Sequence, residues 1–312
     1  MPVPRSDTVA SRATRRGLTY GVVAYLLWGL FPIYLKALGG VGAGDVLAHR
    51  ILWSLLLLAG MILVARRTPA LLAALRDPTV MLTLAGTALL IAGNWLVYIH
   101  AVASGQLLAG SLGSYLNPLV SVALGFLILK EKFSRAQGGA IVLALAGIAV
   151  LAANAGGALW ISLVLAFSFS AYGLLRKMAP VDPLTGLAVE TAILAPLAAG
   201  YLVWRGARGQ TSFGVDGTTD LLLVLSGVVT AVPLLLFSAA AKRLRYSTVG
   251  VLQFIAPSLA FALAIGMYGE TLTIAHVVCF AAIWTAVAIY VVENLRLAKV
   301  AVTPPGAVAP EG

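Results

Sequence analysis

Ten long apolar segments fill this chain of 312 residues and leave little length for anything else. A helix that crosses a bilayer needs about 20 apolar residues, because about 30 Å of hydrocarbon is traversed at about 1.5 Å per residue. Hydrophobic residues make up 61% of the chain and charged residues only 10%, whereas a soluble domain carries roughly 25% charged residues. We therefore predict an all-α integral membrane protein with ten transmembrane helices, at residues 17–38, 44–65, 79–102, 106–129, 134–153, 157–176, 183–204, 219–241, 247–268 and 273–293.

The two ends of the chain differ in composition from these segments. Residues 1–16 and 298–312 are rich in Pro, Ala, Gly and charge, which is typical of disordered tails. Arg15 and Arg16 precede an apolar run, as in a secretion signal, but that run is longer than a signal core and contains Lys36. We therefore expect an uncleaved first span and two disordered cytoplasmic tails.

Basic residues are distributed unevenly among the connections between the spans. Seventeen of the 21 Lys and Arg residues lie in the tails and in alternate connections, whereas only Arg205 and Arg208 lie in the others. Positive charges are retained on the cytoplasmic side of a membrane. We therefore expect a multi-pass protein of the cell inner membrane with both termini cytoplasmic. Because this topology accounts for the net charge of +10, no nucleic-acid partner is expected.

The chain also contains an internal repeat, and the copies are inverted. Pro118 and Pro257 are each followed thirteen residues later by a glutamate, Glu131 and Glu270. Each copy holds five spans, an odd number, so the second copy enters the membrane from the opposite side. Inverted repeats are the architecture of many secondary transporters, which place the substrate site between the halves. A duplicated scaffold without a transport role is the alternative. The predicted five-helix repeats are residues 17–153 and 157–293.

Ordered motifs along the chain resemble those of RarD-type permeases in the EamA branch of the drug/metabolite transporter superfamily. The resemblance covers residues 17–295. The motifs are AYLLWG at 24–29, HR at 49–50 with WS at 53–54, GNW at 93–95, SLG at 111–113 with NPL at 117–119, AFSF at 166–169 with YGL at 172–174, TAVPL at 230–234, RLR at 243–245, and Gln253 with Pro257.

This resemblance implies an inner-membrane permease of ten helices, built from two five-helix EamA units. RarD members carry labels of chloramphenicol resistance or chloramphenicol sensitivity, so the resemblance implies efflux of a small amphipathic drug or metabolite. The superfamily also exports amino acids and other metabolites, which leaves an amino-acid or metabolite permease as the alternative.

Charged side chains inside the spans mark candidate functional positions. Such a residue costs roughly 2.5–3.5 kcal/mol at a helix centre, so it needs a partner, a watery cavity or a function. We interpret Arg50 as an anchor for an anionic or carbonyl group of the substrate, with snorkelling to the interface as the alternative. Glu190 and His49 are the candidate proton carriers, because a buried carboxyl group or an imidazole can exchange a proton. A structural role inside the bundle is the alternative for both.

Uncharged polar and aromatic side chains complete the predicted site. Asn94 and Tyr98 share a helix face, Asn117 precedes a proline, and Trp28 could stack on a flat ring, although helix packing is the alternative for each. The predicted substrate site is formed by Trp28, Arg50, Asn94, Tyr98, Asn117 and Gln253. Because proline lacks a backbone N–H, helix breaks are expected at Pro32, Pro118, Pro233 and Pro257.

Several other classes of function lack the residues they require. The single cysteine, Cys279, and the three histidines give no basis for a metal site or a disulfide, and no cofactor is expected. No phosphate-binding loop for ATP hydrolysis is present. The spans hold no carboxylate cluster for an integral-membrane transferase, and no signalling domain for a receptor or assembly subunit is attached. The expected partners are the lipid bilayer and a small-molecule substrate, with protons and a homodimer left open.

The predicted topology can be tested at the connection between the seventh and eighth spans. A reporter fused at Gly214 is expected to be external, because this connection belongs to the set with few basic residues. A matched fusion after Arg67, in a predicted cytoplasmic connection, serves as the control. A cytoplasmic signal from both fusions would contradict the topology.

Overall fold

The computed structural model describes residues 6–104, 107–153, 159–268 and 274–302, and these residues form helices with no strand among them. Each of the ten predicted spans falls on one or two of these helices, so the all-α prediction is confirmed. The helices are α1 (Ser6–Gly29), α2 (Phe31–Ala37), α3 (Ala43–Val64), α4 (Thr68–Arg76), α5 (Pro78–Ala103), α6 (Leu107–Leu127), α7 (Arg135–Ala152), α8 (Leu159–Met178), α9 (Pro183–Ala207), α10 (Gly217–Arg243), α11 (Tyr246–Gln253), α12 (Ile255–Tyr268) and α13 (Ile274–Val302).

Most of these helices have the length and the apolar composition needed to cross a membrane. Within the described residues, two apolar stretches are shorter, Leu112–Leu127 in α6 and Arg135–Val150 in α7. The chain is therefore a multi-pass membrane protein. Eight described stretches meet both requirements: Arg12–Ala37, Ala43–Val64, Pro78–Ala101, Leu159–Met178, Pro183–Ala207, Gly217–Arg243, Tyr246–Met267 and Ile274–Asn294.

The first and last helices extend into segments that the composition assigned to disordered tails. Helix α1 begins at Ser6, so residues 6–16 are helical, and α13 continues to Val302. Extending an existing helix adds one hydrogen bond per ordered residue, and Ala and Arg favour the helical state. The rest of the predicted tails, residues 1–5 and 303–312, lies outside the described residues, as does Glu270.

Two of the four prolines expected to break helices lie beside a break. Helix α2 is separated from α1 at Leu30 and carries Pro32 at its second position. Helix α12 is separated from α11 at Phe254 and carries Pro257 at its third position. A proline near the start of a helix loses no hydrogen bond there, because the first N–H groups of a helix have no partner within it.

The other two prolines do not break their helices. Pro118 lies inside the continuous helix α6 and Pro233 inside the continuous helix α10, which corrects the predicted breaks. Both side chains are buried. A proline removes a single backbone hydrogen bond, and packing against neighbouring helices keeps the rest of the helix in place.

The largest helix contacts join the part of the chain before residue 155 to the part after it. Helix α6 packs on α8 and α11, α7 on α13, α1 on α10, and α3 on α9 and α10. The main apolar core accordingly combines side chains from α1, α3 and α5 with side chains from α8 to α11. The main apolar core is therefore shared between the two halves.

One end of the bundle carries Lys130, Lys132 and Arg245, and we call it the basic end. It is held by polar contacts between the halves. Glu131 accepts hydrogen bonds from the backbone N–H groups of Tyr246 (2.5 Å) and Ser247 (3.0 Å). It therefore caps the start of α11, whose first N–H groups have no partner within the helix. Its ion-pair partner is Arg245, whose Nε lies 3.7 Å from Glu131 Oε2.

Helix α3 crosses α10 so closely that the crossing requires a glycine. A Cβ atom on Gly227 would lie 2.5 Å from the carbonyl carbon of Trp53 and 2.8 Å from the backbone nitrogen of Ser54. The hydroxyl of Ser54 donates to the carbonyl of Gly227 at 3.1 Å. Small residues permit such close crossings in membranes, where apolar burial alone does not hold helices together.

Replacing this glycine is expected to destabilise the bundle. The change Gly227→Ala forces the backbones of α3 and α10 apart, at a cost of about 1–3 kcal/mol. The matched control is Gly200→Ala in α9, where a Cβ atom meets nothing within 4 Å and alanine favours the helix by about 0.8–1.0 kcal/mol. Thermal unfolding of the purified proteins in detergent measures the difference, and equal melting temperatures for the two variants would contradict the crossing.

Candidate functional site

A pocket of about 360 Å³, part of it open to the outside of the protein, lies between the two halves. Its walls come from α3 and α5 of the first half and from α8, α9 and α10 of the second. Half of the lining residues are aliphatic, and the others include one carboxylate and four hydroxyl groups. The lining residues are Ile51, Ser54, Ile91, Trp95, Tyr172, Leu187, Glu190, Thr191, Leu194, Thr230, Ala231 and Leu234.

Glu190 is the carboxylate at this pocket, and its place follows from where α9 begins. Asp182 caps the helix, accepting hydrogen bonds from the N–H groups of Leu184 and Thr185 at 3.1 Å, and Pro183 takes the first helical position. Partial burial raises the pKa of Asp182, but the hydrogen bonds outweigh burial and leave the pKa below its usual value. Glu190 therefore lies about two turns inside α9, with 2% of its surface exposed.

The Glu190 carboxylate is held by groups from both halves of the chain. Its Oε1 accepts from the hydroxyl of Thr87 at 2.5 Å, and its Oε2 accepts from the hydroxyl of Tyr172 at 3.3 Å. Arg176 Nε lies 3.5 Å from Oε1. Because Thr87 belongs to α5 and the other partners to α8, the carboxylate joins three helices.

Arg176 is fully buried beside Glu190, although the sequence assigned it to a basic connection. Its Nη2 donates to the carbonyl of Pro183 at 3.0 Å and its Nε to the hydroxyl of Ser238 at 3.4 Å. Gly186 makes room for the guanidinium, because a Cβ atom there would overlap Arg176 Nη1. A glycine on the facing helix is the only local sequence signal for this arrangement.

Arg50 lies beside the pocket, outside its lining, and does not pair with Glu190. Its Nε donates to the hydroxyl of Thr230 at 2.8 Å. Its Cζ lies 4.8 Å from the ring centroid of Phe31 and 5.3 Å from that of Trp95. Thr230, Trp95 and the neighbouring Ile51 all line the pocket, so the guanidinium borders it.

His49, the second predicted proton carrier, lies apart from Glu190. Its ring stacks on Phe213 with a centroid distance of 5.3 Å, and Trp53 approaches the same phenylalanine at 6.1 Å. Asp45 and Asp220 are its charged neighbours. These residues belong to the end of the bundle opposite the basic end, and His49 does not line the pocket.

A polar network joins α3 to α9 and the following connection at this opposite end. Asp45 forms two hydrogen bonds with Arg205, at 3.0 and 3.2 Å, and also accepts from the hydroxyl of Ser212. Asp45 is 1% exposed. The network therefore holds the segment that carries Phe213 over His49.

Three amides predicted to bind substrate make contacts between helices. Asn94 Nδ2 donates to the carbonyl of Leu165 and to Ser168 Oγ, both at 2.9 Å. With its amide oriented so that the nitrogen faces the acceptors, Asn117 donates to the same carbonyl at 3.3 Å. Gln253 donates to Ser121 Oγ at 3.0 Å. None of the three lines the pocket, so they occupy the positions expected of packing residues.

The two predicted aromatic residues have different surroundings. Trp28 packs against the rings of Tyr25, Phe169 and Phe237, with centroid distances of 5.5 to 5.8 Å, and does not line the pocket. Tyr98 is 42% exposed and interacts electrostatically with Arg50. Glu190 thus lines the pocket, Arg50 contacts the lining residues Thr230 and Trp95, and none of the six predicted substrate residues is itself part of the lining.

Among the described residues, no group of three His, Cys, Asp or Glu side chains could hold a metal ion. The polar groups in the pocket lining include the Glu190 carboxylate and four hydroxyl groups, which can bind and orient a solute and exchange protons.

Comparisons with known proteins identify the family. The EamA-like transporter family matches residues 15–153 and again residues 155–292. An uncharacterized transporter of Vibrio cholerae is 42% identical over 90% of this chain and 94% of its own length. Protein RarD of Escherichia coli is 41% identical, covering 91% of this chain and 97% of its own length.

A solved structure shows the same fold. A crystal structure described only as that of a protein matches with a TM-score of 0.70 at 23% identity, covering 92% of this chain and 99% of that one. The family matches and the RarD relatives confirm the resemblance found in the motifs. The chain therefore belongs to the EamA-like transporter family, among its RarD-type permeases.

Proposed function

We propose that the protein is a secondary transporter that exports a small amphipathic drug or metabolite through the pocket between its halves. The observation that carries this proposal is the pocket itself, walled by helices of both halves and containing one buried carboxylate. Aliphatic walls suit the apolar part of a solute, and a few polar groups suit its orientation. Membership of a transporter family supports the same function.

The proposed mechanism is alternating access between inverted halves, with both termini in the cytoplasm. Two matches of one family to consecutive parts of the chain support a duplication. The halves are in contact at each end of the bundle, through Asp45 and Arg205 at one end and through Glu131 and α11 at the other. In this mechanism the two sets of contacts break in turn. Each cluster is polar and can exchange its partners for water when its end opens.

We further propose that Glu190 couples transport to protons. Of the two predicted carriers, Glu190 lines the pocket and His49 does not. Protonation neutralises the carboxylate and weakens its attraction to Arg176, 3.5 Å away. Because Thr87 of the first half also holds this carboxylate, a change in its charge alters a contact across the path of the solute.

An amino-acid or metabolite permease is the second candidate. It is favoured by a carboxylate in the pocket lining and a guanidinium bonded to the lining residue Thr230, the two kinds of group that recognise an amino acid. Chloramphenicol has no ionised group for them to recognise, so the two candidates differ in the charge of the solute.

A vesicle assay tests transport and coupling together. Purified protein in liposomes is offered labelled chloramphenicol and a panel of labelled amino acids, with and without an imposed pH gradient. We expect the gradient to accelerate movement of at least one compound in the native protein and in His49→Gln, but not in Glu190→Gln. Identical native rates with and without the gradient would remove proton coupling, and a panel in which nothing moves would remove the proposed function.

The Glu190→Gln variant needs a stability control, because it leaves Arg176 buried without a counter-charge. Breaking a buried pair costs about 3–5 kcal/mol, so the melting temperature of this variant should fall. The double variant Glu190→Gln with Arg176→Gln removes both charges and should recover part of that loss. If the double variant is more stable than Glu190→Gln and still shows no proton coupling, the loss of coupling is due to the missing carboxylate and not to unfolding.

A further inference from the structure

We propose that the transported compound is an amphipathic anion, and that its carboxylate binds Arg50 while its apolar part fills the pocket. This inference rests on the proposed function and names the chemical class of its substrate. The observations behind it are the unbalanced charge of Arg50, the geometry of its surroundings and the composition of the pocket beside it.

Arg50 carries a charge that no described carboxylate balances. Within the described residues, ion pairs join Arg176 to Glu190, Arg205 to Asp45 and Arg245 to Glu131, and none includes Arg50. The titratable groups that interact with Arg50 are the phenols of Tyr34 and Tyr98, which are neutral at physiological pH.

The charge at the pocket therefore favours an anion. Glu190 and Arg176 neutralise each other, which leaves the single positive charge of Arg50 beside the lining residues Thr230 and Trp95. A cation would meet an uncompensated like charge there, whereas an anion would provide the missing counter-charge.

The contacts of Arg50 hold the guanidinium while leaving its outer edge available. The rings of Phe31 and Trp95 lie near the guanidinium carbon, and stacking on aromatic rings leaves the in-plane N–H groups free to donate. In the described structure only Nε has a hydrogen-bond acceptor, the hydroxyl of Thr230. A carboxylate is the group that matches two parallel N–H donors of a guanidinium.

Thr230 adds a donor to the same position. Its hydroxyl oxygen accepts from Arg50 at 2.8 Å, so the hydroxyl hydrogen can donate to a different acceptor. Among the described residues, the hydroxyls of Ser54 and Thr191 are already committed to the carbonyls of Gly227 and Leu187. Thr230 is therefore the lining hydroxyl placed to bind the anion together with Arg50.

The other lining side chains favour an apolar body on the solute. Ile51, Ile91, Leu187, Leu194 and Leu234 give it aliphatic walls. A monocarboxylate with a single aromatic ring or a short apolar chain fits this description. An amino acid would in addition have to displace Arg176 from Glu190 to pair its ammonium group.

Matched probes that differ only in charge test this inference. The probes are 3-phenylpropionate, its amide 3-phenylpropionamide, the cation 2-phenylethylamine and the zwitterion L-phenylalanine. Uptake into liposomes at neutral pH is measured against protein-free liposomes, and thermal stabilisation of the purified full chain by each probe is measured in parallel. We expect the native protein to prefer 3-phenylpropionate over its amide by about tenfold or more, because the charged hydrogen bonds are lost in the amide.

The variants identify Arg50 as the source of that preference. Arg50→Gln should bring the carboxylate and the amide to similar uptake, whereas Arg50→Lys, which retains the charge, should keep part of the preference. The matched control is Arg208→Gln, which removes a positive charge from an exposed residue stacked on Trp204 and should leave the preference unchanged. If Arg50→Gln does not fold, Thr230→Val removes the second donor and should reduce the preference several-fold.

The outcomes distinguish this inference from the proposed function. Equal uptake of the acid and the amide by the native protein would overturn the anion site and leave transport standing. A stronger response to L-phenylalanine than to 3-phenylpropionate would overturn the monocarboxylate class in favour of the amino acid. Stabilisation by 3-phenylpropionate that depends on Arg50, without uptake of any probe, would support the anion site and count against transport. No stabilisation and no uptake of the carboxylate would overturn the anion site even if chloramphenicol were transported.

Discussion

The buried pair of Glu190 and Arg176 is the interaction on which the centre of the bundle depends. Both side chains are almost entirely enclosed, and they lie 3.5 Å apart. Removing one partner would leave an uncompensated charge in a medium of low dielectric constant, at a cost of about 3–5 kcal/mol. The pair therefore fixes how α8 and α9 sit together. Thr87 and Ser238 extend its hydrogen bonds to α5 and α10, so four helices share one polar centre.

Polar groups elsewhere in the bundle also bind across helices, for the same physical reason. Hydrocarbon offers no hydrogen bonds, so a polar side chain inside it has to find its partner within the protein. Asn94 reaches α8 from α5, and Gln253 reaches Ser121 on α6 from α11. Asp45 and Arg205 do the same near one end. Arg50 differs, because its hydrogen bond to Thr230 satisfies one donor and leaves its charge unbalanced.

The all-α membrane class and the family were predicted correctly from the sequence, because both depend on local patterns. Long apolar runs specify helices in lipid regardless of their neighbours, and the motifs of the permease family lie in short ordered segments. The effect of a proline was less predictable. Pro32 and Pro257 lie beside breaks and Pro118 and Pro233 do not, because packing around the helix determines whether it continues past the lost hydrogen bond.

The sequence by itself determined that this chain is helical and embedded in lipid, and it singled out Glu190 and Arg50 as polar residues that require an explanation. Only the tertiary structure decided how each is satisfied. Glu190 pairs with Arg176, which looked like a residue of a basic connection, and Arg50 meets a hydroxyl and two aromatic rings. The reason is that partners inside a bundle depend on how each helix is rotated and placed beside the others. That arrangement is fixed by packing between distant parts of the chain and leaves no periodic trace along it.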